Sequence, residues 1–265
     1  MKKFFFIILL VVFSLYSENP YHKEGNLLPD TQIEQESELE WRDYDIPNMF
    51  PDLKILDSLD PKKSEKYLNS AKGNYDKALK IIKETETQMD SIAEQYKHLP
   101  ENHLWQIKEK QEKIQKKQKE IKIQNYQKAK IYIIKGLEDL EQIKSEKIIK
   151  TQYYVNLKSN LLRHFVILQL SLNDFSGIIN SIEEYFLLKE ENRSEPQPYK
   201  ILAYCYQFLE NSSRKSFANS DVIYNYKKLK YKNLLQYVIL KYGKDSQQYQ
   251  LLKKHIEREI VENLL

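Results

Sequence analysis

Internal repetition is the feature that most constrains the fold of this 265-residue chain. At four evenly spaced sites a short polar residue stands directly before an aromatic one, and these aromatic residues are 51, 49 and 51 positions apart: Tyr75, Tyr126, Phe175 and Tyr226. A period of this length without a strand signal predicts one helical hairpin per repeat, stacked because a single hairpin cannot bury its apolar face alone. The predicted fold class is therefore all-α, with stacked antiparallel helical hairpins.

The composition agrees with a helical chain. There are only five Gly and eight Pro in the whole sequence, and the abundant residues include Lys, Glu, Leu, Ile and Gln, which are strong or moderate helix formers. We therefore expect long helices throughout the body of the protein.

The first residues indicate export. Lys2 and Lys3 precede an apolar run from Phe4 to Phe13, and polar chain follows Ser17. This run is shorter than the ~20 residues that a membrane-spanning helix needs, so residues 1–17 are predicted to be a cleaved secretory signal peptide. The single cysteine, Cys205, excludes an internal disulfide, and an exported chain without disulfides suits the periplasm.

Charge divides the chain into an acidic leader and a basic body. Residues 18–60 hold twelve acidic and three basic residues, whereas residues 61–265 hold 37 Lys and Arg against 26 acidic residues. A basic body is compatible with nucleic acid, but export and the even spread of the charge argue against that partner. We expect a solvated surface, on which the leader has room to lie.

Residues 18–50 are predicted to form a mostly disordered leader, and residues 51–265 a helical-repeat domain. The leader contains Pro, Gly and many acidic residues and few branched apolar ones. An apolar cluster interrupts it: Trp41, Tyr44, Ile46, Met49 and Phe50. Such a cluster is expected to dock, either on the helical body of the same chain or on a partner, and the sequence leaves both open.

The segment Gly73-Asn74-Tyr75-x-x-Ala78 resembles the turn in the middle of a tetratricopeptide repeat. It predicts that one helix ends near Gly73 and that the next begins after Asn74, because Gly tolerates a left-handed turn and Ala permits close helix packing. The aromatic residues of all four sites are then expected at or near helix starts. The full set of predicted repeat-turn residues is Gly73, Tyr75, Ala78, Tyr126, Ala129, Phe175, Ala203, Tyr226 and Gly243.

Other signals predict where later helices bend or end. We expect a bend between Ser145 and Thr151, and a turn at residues 172–174. Gly243 is the predicted stop of a helix, and Asp245 with Gln248 is predicted to form a capping box for the last helix.

The helix predicted from His103 to Gln124 has an unusually narrow apolar stripe, formed by Ile107, Ile114 and Ile121 at heptad spacing. A helix buried in a stack needs a wider face. The segment is therefore interpreted either as a solvated long helix or as an arm completed by a partner helix. The predicted partner-binding residues are Leu104, Trp105, Ile107, Ile114, Ile121 and Trp41.

The C-terminal part carries a family resemblance. The segments Pro198–Tyr206, Tyr226–Lys228 and Lys241–Tyr249, in their order and spacing, resemble the C-terminal half of the spirochaete flagellar coiling protein A family. The specific likeness covers about residues 196–259, and a looser helical likeness extends back to about residue 61. It implies a secreted, all-helical, tetratricopeptide-like periplasmic protein, of the kind that coats the periplasmic flagellar filament.

The sequence predicts no catalytic, cofactor or metal site. His98 and His103 flank Glu101, but Pro100 prevents a shared helical face for zinc. Glu36-Ser37 is similar to the acid-containing pair of lytic transglycosylases, yet such enzymes need a buried carboxyl group with a raised pKa.

The function predicted from the sequence is that of a non-enzymatic periplasmic scaffold for protein-protein interaction, linked to periplasmic flagella or motility. The alternatives are an adaptor that stabilises another envelope protein needed for cell division or infectivity, and a cell-wall hydrolase. The expected partner is a periplasmic or envelope protein, with flagellar proteins among the candidates, and neither nucleic acid nor stable membrane insertion after signal cleavage is expected. The sequence leaves the oligomeric state open.

Overall fold

A computed structural model describes residues 41–46, 61–97 and 104–261 of the chain. All regular secondary structure within these residues is helical, which confirms the prediction of an all-α fold. The predicted signal peptide, most of the predicted leader, and His98 and His103 lie outside the described residues. None of the helices in the described part of the chain is long and apolar enough to cross a membrane.

Eight α-helices and one 3-10 helix make up the described body. Their bounds are α1 Pro61–Lys97, α2 Leu104–Glu141, α3 Glu146–Ile149, α4 Gln152–Ser171, α5 Ile178–Leu188, the 3-10 helix Glu190–Ser194, α6 Pro196–Lys215, α7 Ser220–Tyr242 and α8 Gln247–Val261. Apart from the short α3, each helix packs against the next one along the chain. This is the arrangement expected of stacked helical hairpins.

Side-chain contacts show that neighbouring helices run antiparallel. Asn74 Nδ2 donates to Asp139 Oδ2 at 2.9 Å, and Asn125 Nδ2 donates to Gln88 Oε1 at 3.2 Å, so α1 and α2 pair in opposite directions. At the other end of the body, Lys227 Nζ lies 2.7 Å from Glu259 Oε2 and connects α7 to α8.

The interior consists of three hydrophobic clusters in succession. The first lies between α1, α2 and α4, and includes Leu68, Ile133 and Leu157. The second lies between α4, α5 and α6, and the third between α6, α7 and α8. Because α4 and α6 each contribute to two clusters, every hairpin is buried by its neighbours rather than by one central core.

The prediction of a turn at Gly73 is wrong, because α1 runs from Pro61 to Lys97 without a break. The helix beginning predicted at Tyr126 is wrong for the same reason, since α2 spans Leu104–Glu141. Both aromatic residues are instead buried within the pair of long helices, Tyr75 with 3% and Tyr126 with 8% of its surface exposed. One Gly inside a helix costs only about 1 kcal/mol relative to Ala, which is less than the packing of two long helices along each other contributes.

The other two aromatic sites lie closer to a helix start. Phe175 precedes α5 by three residues and stacks on Phe208, with 4.5 Å between the ring centroids. Tyr226 lies in the second turn of α7 and stacks on Tyr206 of α6 at 6.5 Å. The sequence period of about 50 residues therefore marks aromatic packing contacts, buried at Tyr75 and Tyr126 and half-buried at Phe175 and Tyr226, rather than four equivalent turns.

Several helix ends lie where the sequence predicts them. The chain bends between α2 and α4, where Thr151 caps α4 by accepting a hydrogen bond from Tyr154 N–H. Asn173 has a positive φ of 55° in the next turn, and Gly243 has a φ of 86° at the end of α7. The predicted capping box is wrong: Ser246 Oγ, not Asp245, accepts from Tyr249 N–H, at 3.2 Å, at the start of α8.

Among the described glycines, Gly136 has the most closely packed neighbours, although it was not among the predicted turn residues. A Cβ atom at this position would lie 3.0 Å from Leu161 Cδ2 and 3.4 Å from the backbone oxygen of Ala71. Gly136 therefore lies where α1, α2 and α4 meet. A Cβ atom at Gly73 would have no such neighbour within 4 Å.

Candidate functional site

A short leader segment, residues 41–46, lies against the helical body, and we call it the strap. The surface that receives it is formed by α4, the end of α5 and the chain around the 3-10 helix, and we call this surface the groove. Seven side chains form the groove: Asn156, Asn160, Arg163, Tyr185, Lys189, Asn192 and Glu195. The described members of the apolar cluster in the leader, Trp41, Tyr44 and Ile46, therefore dock on the body of their own chain.

Trp41 anchors one end of the strap. It is 5% exposed and belongs to the second hydrophobic cluster. Its ring meets that of Tyr185 edge to face, with 5.8 Å between centroids and an interplanar angle of 80°. Arg163 holds the adjacent chain: its Nη1 donates to the backbone oxygen of Trp41 at 3.3 Å, and its Nη2 lies 3.0 Å from Asp43 Oδ1.

Two asparagines of α4 bind the main chain of the strap. Asn160 Oδ1 accepts from Tyr44 N–H at 2.9 Å, while its Nδ2 donates to the backbone oxygen of the same residue at 2.6 Å. Asn156 Nδ2 donates to the backbone oxygen of Asp45, also at 2.6 Å. The two asparagines are four residues apart and so share one helix face. A side-chain amide offers both a donor and an acceptor, which matches the two polar groups of a peptide unit.

The side chain of Tyr44 supplies the second anchor. Its hydroxyl donates to Asn192 Oδ1 at 2.6 Å and lies 3.4 Å from Glu195 Oε1. The ammonium group of Lys189 lies 3.8 Å from the centroid of the Tyr44 ring, which is within the range of a cation–π contact. Tyr44 is thus held at its ring face and at its hydroxyl.

Local hydrogen bonds hold the far wall of the groove in place. Asn192 is fully buried, and its Nδ2 donates to the backbone oxygen of Tyr185 at 2.6 Å. Tyr185 O–H donates to Glu195 Oε2 at 2.7 Å. Glu195 occupies the residue before α6, but its carboxylate makes no capping hydrogen bond there and instead accepts from the two tyrosines.

Burial determines the protonation behaviour of this wall. It raises the pKa of Glu195, and the hydrogen bonds from Tyr185 and Tyr44 oppose that change. Burial and the neighbouring Glu195 raise the pKa of the Tyr185 hydroxyl, which therefore stays protonated and remains a donor. Burial also raises the pKa of Tyr44 and lowers that of Lys189.

Behind the strap, a histidine of α4 makes internal contacts. His164 Nδ1 lies 3.0 Å from the backbone oxygen of Asn160 and 3.3 Å from the hydroxyl of Tyr75. Burial and the adjacent Arg163 lower the pKa of His164 to about 4. Cys205 is also buried, which raises the pKa of its thiol to about 12.

The structure buries Trp41, a predicted partner-binding residue, against the body of its own chain and separates it from the other predicted partner-binding residues. Tyr44 and Ile46 lie with Trp41 in the strap, whereas Met49 and Phe50 are outside the described residues. The asparagines of the groove were not predicted. Two asparagines four residues apart on an apolar helix were the available signal, because such residues are rarely buried without a partner.

The remaining predicted partner-binding residues lie on α2. Leu104, Trp105 and Ile107 belong to its first turn, and their side chains are outside the described set. Ile114 and Ile121 are half-buried. Between them, Gln118 Nε2 donates to the backbone oxygen of Met89 on α1 at 2.9 Å.

This contact shows that the stripe on α2 faces α1, so a helix of the same chain covers it at least in part. The first hydrophobic cluster contains no described residue of α1 beyond Ile82 and none of α2 before Tyr126. The distal parts of α1 and α2, residues 83–97 and 104–125, thus form a two-helix arm that extends from the stack. Fifteen helical residues correspond to a length of roughly 22 Å.

A buried ionic network ties the last helices together. Glu210 and Lys230 are each 6% exposed at the side chain and pair at 2.8 Å, and Arg214 pairs with the same carboxylate at 2.8 Å. Ala203, which was predicted to lie at a close helix contact, is 3% exposed in the third cluster. No group of three or more His, Cys, Asp and Glu side chains in the described part of the chain could hold a metal ion.

Comparison with known proteins gives one family. The family model described as FcpA, flagellar coiling protein A, matches residues 23–264. The matched range includes the strap, the groove and the two-helix arm. No curated protein matches the chain.

Proposed function

Because this chain belongs to the FcpA family of flagellum-associated proteins of spirochaetes, we propose that it is a non-enzymatic periplasmic scaffold that binds other proteins at the periplasmic flagellum. The observation that carries this proposal is the extent of the family match, which covers residues 23–264 and thus the leader as well as the helical body. A match to the C-terminal repeats alone would support only a shared fold.

The architecture supports a scaffold. Stacked hairpins expose long, continuous helix faces, and repeat proteins use such faces to bind other proteins. The two-helix arm adds a charged surface that reaches beyond the stack, with exposed residues such as Lys116, Lys117 and Lys119. We infer that the arm is the part of the scaffold that contacts the flagellar partner.

The periplasmic location in this proposal rests on the basic and apolar N-terminal residues, which have the pattern of a signal peptide. The free thiol of Cys205 is buried and has a raised pKa, so it is protected from oxidation in that compartment.

Fractionation of cross-linked spirochaete cells tests the proposal. We expect the protein to be recovered with isolated flagellar basal bodies and filaments rather than with the soluble periplasm. Recovery from the soluble periplasm alone, in complex with a different envelope protein, would contradict the flagellar role and favour the adaptor.

A pair of variants tests the role of the arm. Changing Ile114 and Ile121 to Gln weakens the half-buried stripe through which α2 faces α1 and so disturbs the arm, whereas Ile131→Gln changes an exposed Ile of the same helix near the stack, with 51% of its surface accessible. We expect the double variant to lose flagellar co-sedimentation and the control to keep it. Circular dichroism of both must show folded protein. Normal co-sedimentation of a folded double variant would assign the contact to another surface.

A further inference from the structure

We propose that the groove is a binding site for the strap of a second copy of this chain, so that neighbouring molecules can exchange straps. The proposal rests on the scaffold function above and names its partner as another molecule of the same protein. It starts from the observation that the strap is bound as a peptide ligand would be, through its main chain and two aromatic anchors.

The contacts define the ligand. Asn156 and Asn160 bind backbone groups and therefore hold any extended chain in register. Selectivity comes from the anchors, since a ligand must place an indole against Tyr185 and, three residues later, a phenol against Asn192. The segment that meets these requirements is the strap itself, and every copy of the chain carries it.

Charge favours the same ligand. The strap contributes Asp43 and Asp45 from an acidic leader, while the groove presents Arg163 and Lys189. The ion pair between Asp43 and Arg163 measures 3.0 Å, and the Arg163 side chain is 12% exposed. Because it is partly buried, this pair is screened by salt less than a solvated pair is.

The chain length permits exchange. Fourteen residues, 47–60, connect the strap to α1, and this number of residues spans at most about 50 Å when fully extended. A strap bound within its own molecule and a strap bound to a neighbour make identical groove contacts, so only the path of this connection differs. The intramolecular form benefits from an effective concentration in the millimolar range, and exchange is favoured where many copies are concentrated side by side.

Two complementary variants remove the intramolecular competition. Trp41→Ala/Tyr44→Ala has an intact groove but no anchors on its strap. Asn160→Asp has an intact strap. The Asp side chain in its groove has a similar volume to Asn, but it places a carboxylate instead of an N–H donor against the backbone oxygen of Tyr44. Each variant alone should sediment as a single chain. An equimolar mixture should sediment at twice that mass, because the strap of one variant enters the groove of the other.

Analytical ultracentrifugation over a concentration series measures this result. A mixture that stays at the mass of one chain would overturn the proposal. If Trp41→Ala/Tyr44→Ala does not fold by circular dichroism, Tyr44→Ala, which retains the buried Trp41, takes its place in the mixture with the same expected result.

A labelled peptide of residues 39–48 gives a second measurement by fluorescence anisotropy. It should bind the strap-defective variant at least tenfold more tightly than Asn160→Asp, and a peptide with Ala at positions 41 and 44 should bind neither. Equal binding to both variants would overturn the assignment of the groove. Peptide binding without assembly of the mixed variants would show that the groove is specific for the strap but receives it only from its own molecule, which also overturns exchange.

These measurements use purified protein and do not depend on the flagellum. Mass doubling with no flagellar co-sedimentation would refute the proposed function and keep strap exchange. Flagellar co-sedimentation without mass doubling would do the reverse.

Discussion

Asn160 illustrates how a single buried polar side chain organises the candidate site. It is 2% exposed, yet both ends of its amide are satisfied by one residue of the strap. Its backbone oxygen also lies 3.0 Å from His164 Nδ1. The residue thus connects the strap on one side to the interior of the stack on the other.

Asn160→Ala should reduce the free energy of unfolding by about 1–3 kcal/mol, because it leaves the N–H and C=O groups of Tyr44 without their partner. Urea denaturation measures the loss. Asn180→Ala is the matched control, since Asn180 is an exposed Asn on α5 and its removal should change stability by less than ~0.5 kcal/mol. Equal effects of the two substitutions would contradict the assigned contacts.

The lowered pKa of His164 predicts that the protein loses stability in acid. Its pKa is about 4 in the folded protein, against about 6.5 in an unfolded chain. The unfolded state therefore binds the proton more readily, so this stabilisation is complete above pH 6.5 and declines as the pH falls towards 4. Asp43 and Arg163 are the charged groups that act on the imidazole.

The measurement compares wild type with His164→Gln by urea denaturation between pH 4 and 7. We expect the advantage of the wild type to be largest near pH 7 and to shrink as the pH falls, because only the wild type has the His164 imidazole, whose protonation favours unfolding. A difference that is constant across this range would show that His164 is accessible to protons in the folded state.

At the scale of elements, the pairing of α1 with α2 decides where helices break. Gly73 lies inside α1 with no atom near the position of a Cβ, whereas Gly136 lies inside α2 against Leu161 and the backbone of Ala71. The two glycines therefore occupy the same secondary structure in opposite surroundings.

Gly73→Ala should stabilise the protein by about 0.5–1 kcal/mol, because Ala has the higher helix propensity and finds open space. Gly136→Val should destabilise it by about 1–3 kcal/mol, because the added carbons would overlap the packed helices. Thermal and urea denaturation of both variants give the comparison. Destabilisation by Gly73→Ala would contradict the continuous helix and support the turn that the repeat pattern predicts at this residue.

At the scale of the whole molecule, the strap links parts of the stack that are distant in sequence. Trp41 belongs to the second hydrophobic cluster, and Ile46 packs against the first. Six residues of the leader therefore join the N-terminal long hairpin to the hairpins that follow. Removing an anchor should weaken the whole stack rather than one helix.

Trp41→Ala should lower the free energy of unfolding by about 3–5 kcal/mol, the usual cost of deleting a buried Trp side chain. The control is Arg42→Ala, because the neighbouring Arg42 is exposed. Calorimetry checks whether the loss shifts a single unfolding transition or separates it into two. A thermal midpoint equal to that of the wild type would show that the strap is dispensable for the fold.

The sequence by itself determined the class of the fold and some of the positions where helices end. An all-α stack is predicted by the low content of Gly and Pro, by the period of about 50 residues and by local signals such as Gly243. These signals can be read from the sequence because helix formation and capping depend on neighbours along the chain. The family resemblance came from other residues, namely the order and spacing of Pro198–Tyr206, Tyr226–Lys228 and Lys241–Tyr249, and the family match over residues 23–264 confirms it. The sequence could place Trp41 in a docking cluster because an apolar group in an acidic leader is conspicuous.

Only the tertiary structure decided which local signals prevail and where the leader binds. Gly73 resembles a turn residue, but its cost inside a helix is small and the packing of α1 against α2 exceeds it. Asn156 and Asn160 bind main-chain atoms 111 and 116 residues away. Neither asparagine specifies its partner by spacing or composition, because a side-chain amide fits any peptide group that the folded chain brings to it.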